Sequence, residues 1–232
     1  MIPISKACRL LPFGLLTLAS PIASARADIV LSELIVDLQS GGHDREDVEI
    51  WNDGPDRAYV AVEPREIVDP GQAGEASRTD PDPQQLGLLV APARMILEPG
   101  QRKLMRVARL APDSGHERVY RVTVKPVAGV LTSSESGLKL LVGYDVLVLV
   151  RPARARPAVT GSRHGNSLTL RNDGNVSLEL SQGRQCDSSR SHCQSLPGKR
   201  LYAGAEWTET LPSSGPVDYL VKSPAGQDRA SF

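Results

Sequence analysis

The densest group of ligand-type side chains in the 232-residue sequence is Cys186, His192 and Cys193. The adjacent His192 and Cys193 cannot easily share one tetrahedral ion, and no fourth ligand is near. A disulfide across the six intervening residues is therefore favoured over a metal site. His43, His116, His164 and His192 all lie among charged or small residues, the usual setting of solvated histidine. No G-x-S-x-G, H-E-x-x-H, G-x-G-x-x-G or P-loop spacing occurs, so the sequence points away from an enzyme and implies no cofactor or metal. Asn175-Val176-Ser177 spells a glycosylation acceptor, but it falls on a predicted turn. Trp51 and Trp207 read as packing residues, one per domain. The remaining expressive feature is apolar. Across 137–150, Leu138, Leu140, Val142 and Tyr144 share one strand face, and Lys139, Leu141, Gly143 and Asp145 the other. This run exceeds the usual strand of about 5–6 residues, so part of it should lie at an edge or extend past its own sheet. Edges are normally blunted by charge, proline or a bulge, and none interrupts this row. It is either a strand offered to a partner or a core strand buried on both faces.

The elements that must position this row are strands. Period-two alternation recurs through 29–38, 47–51, 58–64, 102–110, 118–127 and 138–150, and no helical stripe of useful length appears. The segment 69–85 is rich in Pro, Gly, Asp and Ser and reads as a long mobile loop. Met95 and Leu97 are expected to face inward ahead of a turn at Glu98-Pro99-Gly100, with 102–107 returning as the paired strand. A weak repeat gives the domain count. Val48-Glu49-Ile50-Trp51-Asn52-Asp53-Gly54 is matched by Leu168-Thr169-Leu170-Arg171-Asn172-Asp173-Gly174, and each leads into another alternating strand. Asn, Asp and Gly tolerate positive φ, so both sites predict a tight hairpin turn. Pro152 and Pro157 bracket a basic stretch that suits a linker. The expectation is an all-β chain of two Ig-like sandwiches joined at an angle, 28–151 and 152–232.

The first 27 residues read as an export signal: Lys6 and Arg9, an apolar run at 10–18, then Ala25-Arg26-Ala27. That run is too short to span a bilayer. Removing it takes the 27 basic residues to 24 against 27 acidic ones, a formal charge of −3. No basic surplus argues for nucleic acid, and no lysine-rich amphipathic stretch argues for membrane insertion. Cys8 leaves with the signal, and the remaining even pair suits an oxidising compartment.

Four segments in this order resemble the periplasmic chaperones of pilus (chaperone–usher) assembly: Asn52-Asp53-Gly54 after an early strand; Val90-Ala91-Pro92-Ala93-Arg94-Met95-Ile96-Leu97-Glu98-Pro99-Gly100-Gln101; Glu117-Arg118-Val119-Tyr120-Arg121-Val122; and Val150-Arg151-Pro152. The resemblance covers the first domain and is weaker in the second. It implies a non-enzymatic periplasmic protein that lends a strand to an incomplete pilus subunit and passes it to an outer-membrane usher. Donor-strand complementation is a known case of strand addition. By position Leu138, Leu140 and Val142, followed by Tyr144, would be the lent residues, and the apolar row would favour self-association when free. Glu117 and Arg151 match an interdomain ion-pair network, with Asp218 as a third member.

The chain departs from that family at one place. Its members hold the subunit's C-terminal carboxylate with an Arg on the first strand and a Lys on the lent strand, and here Ile35 and Leu147 occupy those positions. A carboxylate against them would be desolvated without a partner. Either strand addition and apolar contact suffice, or another base such as Lys139, Arg121 or Lys125 substitutes, or the fold serves another binding task. The competing function is an Ig-like adhesion or adaptor module that binds through its end loops.

Overall fold

The computed structural model describes residues 29–39, 42–127, 141–187, 189 and 191–232. The expected signal at 1–27, Leu138 and Leu140 fall outside them. The first half contains β1 (Ile29–Leu31), β2 (Ile35–Gln39), β3 (Arg45–Asn52), β4 (Ala58–Val68), β5 (Ala76–Arg78), the short α1 (Pro83–Leu86), β6 (Leu88–Ala91), β7 (Arg94–Leu97), β8 (Arg102–Arg109), β9 (Arg118–Val127) and β10 (Tyr144–Arg151). One sheet runs β1-β3-β8-β6. The facing sheet runs β2-β10-β9-β4-β5, with β7 also on β4. The first strand therefore changes sheets at residues 32–34: β1 pairs antiparallel with β3, while β2 runs parallel to β10. Alternation does the rest, because Val36, Leu38, Val60, Val62, Val122, Val124, Val146 and Val148 all turn into one core between the sheets.

The second half contains β11 (Val159–His164), β12 (Ser167–Asn172), β13 (Leu178–Cys186), β14 (Cys193–Leu196), β15 (Lys199–Leu201), β16 (Glu206–Thr210), β17 (Val217–Ser223) and β18 (Gly226–Ser231). Its sheets are β11-β12-β16 and β14-β13-β17-β18, with β15 also on β13. Among the described residues no strand pairing links the two halves. Trp207 packs on this second core and meets Tyr219 edge-on at 5.9 Å. Trp51 instead lies on the outer face of its sheet, with the Arg102 guanidinium 4.8 Å from its ring. Burial pushes the Tyr219 hydroxyl up to about 12.

The repeated Asn-Asp-Gly is real, but its physics differs from the hairpin expected. β3 and β4 lie in different sheets, as do β12 and β13, so each motif crosses the sandwich. Neither glycine of the pair has positive φ. The asparagines carry the motif instead. Asn52, fully buried, donates from Nδ2 to Asp56 O (2.6 Å) and Leu97 O (3.1 Å) and accepts from Gly54 N (3.0 Å). Asn172 repeats this with Val176 O (2.8 Å), Leu201 O (2.8 Å) and Gly174 N (2.9 Å). Gly174 is required by close approach, since a Cβ there would collide with Arg156 O and Ala158 N.

The segment expected to be a mobile loop is pinned. Asp69 and Gly71 turn it back at positive φ, β5 pairs with β4, and Asp82 caps α1 by accepting from Gln84 N at 2.9 Å. Glu66 lies between Arg78 and Arg118, bonded at 2.5 and 2.6 Å. Burial acts to raise its carboxyl pKa, but the two guanidiniums outweigh burial and hold it below the ordinary value. Arg118 Nη2 and the Tyr120 hydroxyl both donate to Leu86 O, tying the helix end to β9. Met95 and Leu97 are buried, and Gln101 N donates to Glu98 O across the turn at Gly100.

Candidate functional site

β10 is where the two halves of the candidate site meet. Its register with β9 is unbroken from Tyr144 opposite Val124 to Val150 opposite Arg118. On its other side β2 covers it only from Leu147, opposite Ile35, to Arg151, opposite Gln39. Among the described pairings the β2-side edge is therefore open before Leu147. Tyr144, Val146, Val148 and Val150 fill the core, and the Tyr144 hydroxyl donates to Ile29 O at 2.8 Å. Tyr144 thus serves its own domain, not the lent row in which the sequence placed it. Val142 shares its parity but lies beyond the core and is 47 % exposed; Leu141 is 37 % exposed. At Gly143 a Cβ would press on Val124 O and Lys125, so the chain hugs β9 as it leaves the sandwich.

The opposite parity of β10 faces the second half of the chain. Leu147 and Leu149 pack with Val119 and Ile67 against Tyr202. Arg151, whose side chain is 7 % exposed, bonds Asp37 through Nε (3.0 Å) and Nη2 (2.8 Å), and its Nη1 donates to Glu117. Burial acts against the Arg151 charge, but Asp37 and Glu117 carry its pKa above the usual value. Glu117, 2 % exposed, also accepts from Ser177 N (3.0 Å) and Ser177 Oγ (3.3 Å). Further hydrogen bonds run from Glu117 N to Asn175 O and from the Asn175 side chain, through Nδ2, to Gly115 O. The structure thus brings Glu117 and Arg151 of the first half together, and Ser177 and Asn175 join them from the second. Asp218 lies elsewhere, with Arg184 (3.2 Å) and Ser231 (2.6 Å) on β13 and β18. The true companions, Asp37 and Ser177, were missed because neither stands near Glu117 or Arg151 in sequence.

Beside this junction lies a cleft of about 310 Å³, lined on one side by Ile35, Asp37, Leu149 and Arg151 and on the other by Ser177, Glu179, Arg200 and Lys222 to Pro224. The two positions expected to lack a basic anchor are direct neighbours, Ile35 being 49 % exposed and Leu147 buried. The substitutes suggested by sequence are engaged within their own sheet. Arg121 faces Asp145 at 3.9 Å and Lys125 holds Glu63 at 2.8 Å, while Lys139 is outside the described residues. A second feature, unanticipated, is an exposed cross-strand row of Ile96, Tyr59 and Val127 on β7, β4 and β9. It lines a groove of about 960 Å³ rimmed by Arg94, Lys103 and Lys125. Alternation along each strand would reveal its members, but only register aligns them.

Cys186 and Cys193 are bonded, closing the β13–β14 hairpin, and His192 lies against Asp187 at 3.1 Å. No metal-ligating group of three acidic, His or Cys side chains forms among the described residues. No described helix is long and apolar enough to cross a membrane.

No family model matches the chain, and no curated protein matches it. Solved structures do. The class 5 fimbriae chaperone CfaA is 20 % identical, with 88 % of this chain and 98 % of that one aligned at a TM-score of 0.66. The Salmonella enterica SafB chaperone, solved with the SafA pilin, is 16 % identical over 90 % and 98 % at 0.63. The CsuC chaperone of the archaic Csu pili of Acinetobacter baumannii, solved with the tip adhesion subunit CsuE, is 14 % identical over 88 % and 98 % at 0.62. The chain therefore has the two-sandwich fold of pilus chaperones across nearly their whole length.

Proposed function

We propose that the chain is a periplasmic chaperone that holds pilus subunits by lending them β10 and its N-terminal continuation, then yields them to an outer-membrane usher. The observation that carries this is the edge of β10 left open before Leu147 among the described pairings, with apolar Val142 projecting past the core on the parity of Tyr144, Val146 and Val148. By sequence the same parity continues to Leu140 and Leu138. An incomplete subunit laid along this edge would gain backbone hydrogen bonds and cover the apolar row. Burying three such side chains contributes about 5–9 kcal/mol before ordering costs, at roughly 1.5–3 kcal/mol each. The shared fold supports the reading, since SafB and CsuC were solved with a pilin and a tip subunit.

The test is co-purification from the periplasm. Wild-type protein should recover a small β-rich subunit that aggregates without it. Leu140→Glu and Val142→Glu should lose that subunit while keeping wild-type urea midpoints, because Val142 lies outside the core. Normal recovery by both variants would eliminate strand lending and leave end-loop adhesion as the better reading.

A further inference from the structure

We propose that the turn at 69–72 of the first domain is a clasp for the turn at 202–205 of the second, and that it holds the second domain against rotation about the Arg151 junction. The clasp is independent of whether β10 is lent.

A single attachment fixes a position but not a rotation about it, and joined domains move relative to each other unless their interface is large and apolar. Arg151 with Asp37, Glu117 and Ser177 is one attachment, on the side of the sheet where β2 meets β10. The turn at 69–72 follows β4 directly, on the other side. Register brings the strand ends level, with Val150 opposite Arg118 and Val119 opposite Ile67. β10, β9 and β4 are consecutive in the sheet, so two strand spacings, roughly 10 Å, separate the two holds. A cavity of about 280 Å³ lies between them, reaching from Glu117 to Gln72, Tyr202 and Ala203.

Both turns are internally fixed. In the first domain Asp69 and Gly71 take φ of 50° and 73°. Gln72 N donates to Asp69 O and Glu75 N to Gln72 O, each at 3.1 Å, and the Glu75 carboxylate accepts from Gly71 N at 2.6 Å. In the second domain Ala205 N donates to Tyr202 O at 3.0 Å, and Gly204 N donates at 2.9 Å to the backbone of the buried Asn172. The turns meet with no side chain between them at Gly71. A Cβ there would already touch Ala205 Cβ and Tyr202 Cδ2 at 3.4 Å, so a larger residue would push the turns apart. Beside it Gln72 Nε2 donates to Ala203 O at 3.4 Å. From the same turn the Tyr202 ring extends onto Ile67, Val119, Leu147 and Leu149 of the first domain. Contact between hydrogen-bonded turns resists motion better than contact through long side chains, which have rotamer freedom to regain. The residues at 69–75, which read by composition as a loop, thus have a mechanical task.

The test measures the order of one domain relative to the other in the full chain, from residual dipolar couplings of the backbone amides in a dilute aligned medium. Wild type should fit one alignment tensor, with an interdomain order parameter in the rigid range, about 0.85. Tyr202→Ala removes the clasp from the second domain, and Gly71→Arg wedges it from the exposed first-domain side. Couplings within each domain should stay self-consistent in both variants, while the domains come to need separate tensors and their mutual order falls below about 0.6. The Tyr202 ring also packs on the second core, so if Tyr202→Ala disturbs that domain, Gly71→Arg decides alone. Wild type that already needs two tensors, or a folded variant of either kind that still fits one, would overturn the clasp.

Discussion

Arg151→Met is the perturbation that most directly interrogates the junction of the two domains. Arg151 and Glu117 expose only 7 % and 2 % of their side chains, so neither charge is relieved by water. Removing the guanidinium leaves the Glu117 carboxylate with Ser177 N and Ser177 Oγ as its donors, and its Oε1 already has no hydrogen-bond partner. Breaking a buried pair in this way costs about 3–5 kcal/mol. Asp37 limits the loss on its own side, because its side chain is 42 % exposed and can rehydrate. Replacing both partners, in Arg151→Met with Glu117→Leu, removes the stranded charge and should recover at least half of the loss. Urea unfolding of the four proteins at pH 7 closes the cycle. If Arg151→Met alone costs less than about 1 kcal/mol, or the double variant is no more stable than the single, then the pair does not behave as a desolvated ion pair.

Asn172→Ala should destabilise the second domain by about 2–4 kcal/mol, read as a lower thermal midpoint, because it strands Val176 O, Leu201 O and Gly174 N together. The depressed carboxyl pKa of Glu66 has a definite sign: its stabilisation is present above the unfolded value near 4.5 and is lost as pH falls through the lower folded value. Glu66→Gln should therefore be less stable at pH 7 and show a flatter decline of urea midpoint below pH 4.5; an unchanged acid limb would contradict it. Replacing Cys186 and Cys193 by serine opens a short loop and should lower stability by about 2–3 kcal/mol from lost chain restriction, with residues 28–232 of the wild type giving no free thiol.

Pattern reasoning reached the architecture because burial follows alternation along strands such as β2 and β12, and alternation is written in the sequence; β10, buried on both parities from Val146 to Arg151, is the exception. It found Glu117 and Arg151 because a family pattern marks their positions, and the disulfide because nearby cysteines have few other uses. It misplaced Asp218 and overlooked Asp37, since ion-pair partners are chosen by register between strands far apart in the chain. The segment 69–85 shows a different failure. Its Pro, Gly and Asp do make turns, but whether turns amount to a mobile loop depends on what the intervening residues grip. Arg78 gripping Glu66 is a tertiary event without a local signature. Asn-Asp-Gly was right as a marker and wrong as a mechanism: the buried asparagine, not glycine φ, is what both domains repeat.

One strand joins the lent edge to the contact between domains. On β10 the core parity, Tyr144 to Val150, leads outward to Val142, while the opposite parity, Leu147 to Arg151, makes the contact between domains and one wall of the cleft. A ligand strand along the edge before Leu147 would therefore bear on the same backbone as that contact, with Leu147 and Ile35 marking where one ends and the other begins. If the two are coupled, loosening the contact between domains should weaken the hold on a ligand strand. Arg151→Met, which lies far along the strand from Val142, would then lower subunit recovery as well as stability. Independent contacts would leave recovery at the wild-type level, so recovery by this variant measures whether β10 acts as one unit or two.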